Sequence, residues 1–154
     1  MLLTAALAAC GGNHEAGPLV EQWSLVEELR YGAEDGPGSL ADIRGIVLGD
    51  SGHLLVLDFK DQQIHVFDSL GTYLRAIGRR GQGPGEFGNA NGMLRAPDGR
   101  IWINDPDNGR FTVLASDGSL HATHPVRIGG YGYLWQAWFD SSGTLYESVS
   151  VRVD

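Results

Sequence analysis

A chain of 154 residues has the length of one ordinary domain, and its 42% hydrophobic and 19% charged content are globular values, which excludes a chain too polar to bury a core. Its net charge of −8 argues against a nucleic-acid partner, because affinity for a polyanion comes largely from neutralised phosphates. Glycine, at 23 residues, has roughly twice its usual share of about 7%, which favours short strands and tight turns over helices.

The charge is uneven. Residues 15–61 carry ten acids against Arg30, Arg44 and Lys60, whereas residues 75–110 carry six arginines against four acids. The plain account of the basic segment is a solvated loop face.

The first element is an export signal. Met1 to Ala9 (MLLTAALAA) is a short apolar run ending in small residues, too short to span a bilayer. Leu7-Ala8-Ala9-Cys10 resembles a bacterial lipobox. That resemblance implies that Cys10 becomes the new N-terminus and carries acyl chains, a stable anchor at about 0.8 kcal/mol per buried CH2. Gly11 after the cysteine then points, as in lipoproteins generally, to the outer membrane, facing periplasm or exterior. No Lys or Arg precedes the apolar run, so a start codon further upstream is expected. Residues 10–21 read as the lipidated cysteine and a flexible tether.

Residues 22–31 (QWSLVEELRY) align, at an offset of 47, with a strand expected near 73–77. No inner strands precede them, so they are expected to be an outer strand that closes a ring by pairing with strands from the far end of a longer chain.

The same offset governs the rest of the chain. Residues 45–76 align without a gap on residues 92–123: Gly45-Ile46 on Gly92-Met93, Leu54, Val56 and Asp58 on Ile101, Ile103 and Asp105, and Ile64, Val66 and Gly71 on Phe111, Val113 and Gly118. A third copy begins near Trp135, where DSSGTLYES (140–148) matches APDGRIWIN (96–104). Apolar residues alternate in each copy, and Ser51-Gly52, Asp98-Gly99, Asp117-Gly118 and Ser142-Gly143 are two-residue hairpin signals. The first copy predicts strands near 43–48, 53–58, 63–68 and 73–77. Four antiparallel strands in about 45 residues make a β-propeller blade. The expected fold is therefore all-β, with blade repeats at about 40–87, 88–133 and 134–154, part of a larger ring. Such a piece leaves blade faces open and is expected to aggregate or self-associate.

Gly-Pro-Gly-Glu-Phe-Gly (83–88) fits a G-x-G-x-x-G template, yet it does not read as a nucleotide turn. Gly36-Pro37-Gly38, Gly83-Pro84-Gly85 and Gly130-Tyr131-Gly132 recur every 47 residues, which places them at the links between blades. No helix pattern comes after it, and Pro84 removes an N–H that a phosphate cradle would use.

YLRAIGRRGQGPGEFGNANGMLRAPDGRIWINDPDNGRFTVLASDGSL (73–120) resembles the NHL-repeat propellers. Together with the lipobox, residues 22–150 resemble the six-bladed propeller lipoproteins of bacterial envelopes. The resemblance implies a six-bladed ring around a central channel, generally without an assigned reaction.

Several chemical patterns yield to plainer readings. Gly49-Asp50-Ser51-Gly52 is similar to a serine-protease nucleophile loop, but its register twins are hairpin turns. Asp58 and Asp105 close strands before turns, where a carboxylate accepts backbone N–H groups. His121 and His124 stand three apart on a strand, so they point to opposite faces and do not pair as metal ligands. Trp102, Trp135, Trp138 and Phe67 are expected between blades.

Loops entering the inner strands form one mouth of the channel. Register places Asp42 and Arg44 over Asn89 and Asn91, with Trp135 and Gln136 in the third copy. These polar or aromatic positions differ between copies and are the ligand-contact candidates. The expected function is a lipid-anchored, non-catalytic module that binds a protein, peptide or carbohydrate, without catalytic residues, metal or cofactor. The alternative is a propeller lactonase or lyase with a channel-bound Ca2+, for which Asp42, Asn89 and Asn91 supply the only oxygen ligands in view.

Overall fold

The computed structural model describes residues 23–126 and 134–148. The expected export signal, Cys10, the expected tether and the Gly130-Tyr131-Gly132 link lie outside the described residues.

Alternating apolar residues between glycine turns give two successive antiparallel sheets of four strands. The first contains β1 (Ile43–Leu48), β2 (Leu54–Asp58), β3 (Gln63–Phe67) and β4 (Tyr73–Ile77), adjacent in that order. The second contains β5 (Gly92–Arg95), β6 (Ile101–Asp105), β7 (Arg110–Leu114) and β8 (Leu120–Pro125), again in chain order. A hairpin of β9 (Ala137–Phe139) and β10 (Leu145–Glu147) opens the third copy. These are β-propeller blades, and the strand limits match those read from alternation to within a residue or so.

Cross-strand pairing decides what each blade buries. Leu55 pairs with Val66 and Leu57 with Ile64, so these four share one face. Ile101 pairs with Leu114 and Ile103 with Thr112 on the facing side of the second blade. The apolar residues among these, together with Val47, Met93, Phe87 and Ala90, form one continuous core between the blades. Leu57, Ile64, Ile101 and Ile103 are wholly inaccessible to solvent, each contributing about 1.5–3 kcal/mol of hydrophobic stabilisation.

Glycine sets the spacing nearest the axis. A Cβ on Gly45 would lie 2.8 Å from Met93 Cβ, and one on its twin Gly92 would lie 2.6 Å from Trp135 Cβ. The inner strands converge there, and only a residue without a side chain admits the next blade.

Neighbouring blades decide exposure. Met93 is 4% exposed because the first blade covers it, whereas its twin Ile46 is 56% exposed.

The hairpins depart from expectation in one respect. In the turns at Asp98-Gly99, Asp117-Gly118 and Ser142-Gly143 the glycine N–H bonds the carbonyl three residues back. The strands then close one residue later, Ala96 with Arg100, Ala115 with Ser119 and Asp140 with Thr144. These are three-residue loops with glycine alone at positive φ, between 83° and 85°, rather than two-residue turns. Only Ser51 and Gly52 both take positive φ.

Residues 23–31 form no strand, and Trp23, Leu25 and Val26 are exposed. A strand pairs its N–H and C=O groups with a neighbour, and none of the described strands pairs with this segment. The segment meets the first blade only at its end, where Tyr31 packs edge-on against Phe67 at 5.9 Å.

Candidate functional site

The link between the blades is closed by its own side chains. The Glu86 carboxylate accepts the Gly83 N–H at 2.8 Å and bonds Arg79, while Phe87 is wholly buried under Gly78. The Gly83 contact, then the Arg79 contact, hold the Glu86 carboxyl below its usual range. Arg110 clamps the carbonyls of Gln82, Gly83 and Glu86. An anion from the chain thus occupies the backbone donor that a nucleotide phosphate would need, in accord with a link rather than a phosphate cradle.

Asp58 and Asp105 hold the mouth loops in place. Asp58 Oδ2 accepts Ala41 N–H at 2.6 Å, and Oδ1 accepts Lys60 N–H at 2.9 Å. Asp105 accepts the N–H groups of Gly88 and Asn89, and the Asn108 amide donates to its Oδ2 at 2.7 Å. Both aspartates are fully buried.

The candidate ligand contacts are built on these loops. Asp42 and Arg44 pair with each other through two bonds of 2.7 and 2.8 Å. Arg44 also lies over the Phe59 ring, 4.5 Å from its centroid, and its bond to Asp42 holds that carboxyl below its usual range. Asn89 donates to Asp107 at 2.9 Å. Asn91 is 4% exposed and accepts from the Asn104 amide. Trp135 is half-buried on Phe111, with its indole N–H donated to Glu147 at 3.1 Å, and Gln136 is exposed. Register alone puts Asn91 among the mouth positions, whereas its side chain turns inward to Asn104.

The remaining expected residues are spread over both rims and the blade faces. Ser51 lies in an exposed hairpin turn. His121 contacts Arg100 and His124 stacks on Trp102 at 5.1 Å. Trp102 also meets Phe139 across the blade boundary. Trp138, in contrast, is 58% exposed and stacks on Tyr146 of its own hairpin. Phe67 packs with Tyr31 and Tyr73, away from the second blade.

At the opposite rim, Asp50, Arg95, Pro97, Asp98, Ser116 and Phe139 line an open cleft of about 540 Å3. It is bridged by Arg95 and Asp50 at 2.6 Å. Sequence reasoning did not single it out, because its residues come from strand ends and hairpin turns of all three copies. The recurrent turns at the 47-residue offset were the available signal.

The family described as a six-bladed beta-propeller matches residues 39–105. Among solved structures, a Bacteroides fragilis protein provisionally described as exported superposes with a TM-score of 0.63 at 19% identity, over 76% of this chain and 32% of that one. A streptogramin B lyase structure aligns with a TM-score of 0.46 at 13% identity, over 70% of this chain and 40% of that one, and carries no argument here. The chain thus spans about a third of the length of the Bacteroides protein. No curated protein matches the sequence. The family match and the two four-stranded blades establish the β-propeller fold.

Proposed function

We propose that the chain is a lipid-anchored, non-catalytic binding module of a bacterial cell envelope, of NHL-like repeat type. Its anchor is the acylated Cys10, and Gly11 after it favours the outer membrane. The Bacteroides protein's description as exported is in keeping with that setting. The ligand is a protein, peptide or carbohydrate held at the mouth by Asp42, Arg44, Asn89, Trp135 and Gln136, with the buried Asn91 beneath them.

The observation that carries the binding reading is the pairing at that mouth. Asp42 is committed to Arg44, Asn89 to Asp107, Asn91 to Asn104 and Trp135 to Glu147. Such groups are held rigid for recognition, whereas a general base or a Ca2+ ligand needs an uncommitted oxygen.

Titration of the tryptophan fluorescence against panels of oligosaccharides and peptides tests this. A ligand should give a saturable change, weakened by Gln136→Ala, and be recovered chemically unchanged. A Ca2+-dependent conversion of the ligand would favour the lactonase or lyase alternative.

A further inference from the structure

The two blades differ at one buried cluster. In the second blade the 47-residue register brings together Asp105, Asn108 and Thr112, and the Asn108 amide donates to the buried Asp105 carboxylate. The same positions in the first blade are Asp58, Asp61 and His65. Asp61 has no side-chain amide to donate to its neighbour, and only its backbone N–H reaches Asp58, at 3.4 Å. Two carboxylates therefore meet where one carboxylate and one donor meet in the twin.

The ligating atoms of Asp58, Asp61 and His65 lie within 4.8 Å of one another. Asp58 is fully buried; its Oδ1 accepts the Asp42, Lys60 and Asp61 N–H groups, whereas its Oδ2 accepts only the Ala41 N–H, which leaves Oδ2 a second lone pair for a ligand. The ion pairs among the described residues involve neither carboxylate. His65 is only 5% exposed, and neither ring nitrogen has a hydrogen-bond partner. A buried imidazole with both nitrogens idle, beside two carboxylates, is costly unless a further group completes the set.

We propose that Asp58, Asp61 and His65 form a binding site for a divalent first-row cation, of which Zn2+ is the best fit. Two carboxylates balance the 2+ charge. An imidazole ligand selects against Ca2+ and Mg2+, which take oxygen. Ligand atoms about 2.1 Å from one tetrahedral ion stand about 3.4 Å apart, so atoms within 4.8 Å of one another close on it by shifts of up to about 1.5 Å, which the exposed Asp61 is free to supply. A water fills the remaining position. The bound ion would tie the Lys60–Gln62 turn to β3, on the face of the first blade that points away from the second.

The test compares the full chain with the double variant D61N/H65T, which gives the first blade the composition of the second. Both are freed of metal with a chelator, checked by circular dichroism and melting, and titrated with Zn2+ calorimetrically, with Ca2+ and Mg2+ as controls. The wild-type chain should bind one equivalent of Zn2+ that the double variant loses, with affinity lower by about 100-fold or more, and its melting temperature should rise only with Zn2+. Because the variant reproduces a cluster that folds in the second blade, its metal-free melting temperature should match or exceed the wild type's. Equal Zn2+ binding by both proteins would assign it to the surface histidines and overturn the proposal, as would no binding by a folded wild-type chain. If the variant fails to fold, H65Q alone decides by the same criteria.

Discussion

The side-chain carbonyl of Gln62 accepts the backbone N–H of Ala90 at 2.7 Å, across the boundary between the first and second blades. The same side chain donates to the Phe59 carbonyl, and it is fully buried. Gln62 holds φ at 55°, while its twin in the second blade is Gly109 at 61°. The first blade therefore accepts the strain of a non-glycine residue at positive φ, on the order of 1–2 kcal/mol, in exchange for a bridge to its neighbour. Gln62→Gly should relieve that strain yet leave a buried N–H and a buried carbonyl unpaired, for a net loss of roughly 1–2 kcal/mol. Gln62→Ala keeps the strain and should cost more. Urea unfolding of both variants checks the order.

Convergence of the inner strands gives a second expectation. Gly45→Ala and Gly92→Ala place a methyl group against Met93 and Trp135 respectively, where strand shifts of overpacking type cost about 1–3 kcal/mol each. Gly85→Ala meets nothing within 4 Å, although its φ of 73° disfavours alanine. Melting temperatures separate the cases. Gly85→Ala should show only the backbone penalty, about 1 kcal/mol.

Acid should unfold the chain through its turn aspartates. The Thr72 N–H holds the Asp68 carboxyl below its usual range, the Ser119 hydroxyl does so for Asp117, and the Ser142 hydroxyl for Asp140. A carboxyl whose pKa falls on folding stabilises the protein fully above its unfolded value, about 4. That contribution is lost as pH falls through the lower, folded value. The melting temperature should hold between pH 7 and 5 and decline below about 4. The triple variant D68N/D117N/D140N should melt lower at pH 7 and decline less in acid.

Lipidation has its own readout. Expressed behind a lipoprotein export signal, the protein should incorporate labelled palmitate and partition into detergent, and Cys10→Ser should abolish both. Label and membrane fraction unchanged in the variant would reject the anchor.

The face of the first blade that the described residues leave open makes a further case. Ile46 and Leu48 are 56% and 61% exposed, on the side opposite the core shared with the second blade. The chain expressed alone should bind a hydrophobic dye and self-associate with concentration. Ile46→Lys with Leu48→Lys should suppress both without lowering the melting temperature. A monomer that ignores the dye would show that the face is covered.

Much of this architecture was legible because its signals are local. Alternation marks the strands, glycine marks the turns, and the 47-residue offset carries one blade onto the next. The failures lie where a side chain's surroundings come from elsewhere. Trp138 has the pattern of an inter-blade residue, but burial depends on a neighbour that none of the described residues supplies. Residues 23–31 carry a strand's pattern, and none of the described strands pairs with them. Asn91 reads as a mouth residue until Asn104, thirteen positions on, turns it inward. Asp61 and His65 carry no motif. Only comparison with Asn108 and Thr112 marks them as unusual.

Arg110 reaches back to Gln82, Gly83 and Glu86 over at most 28 residues, and Glu86 neutralises a backbone donor within its own loop. Every contact that closes this link lies inside one repeat length. Recombination between misaligned gene copies, if it kept the register, could therefore add or delete a whole blade while leaving the link intact. The number of blades is free to change by such exchange, whereas the distance between links is not.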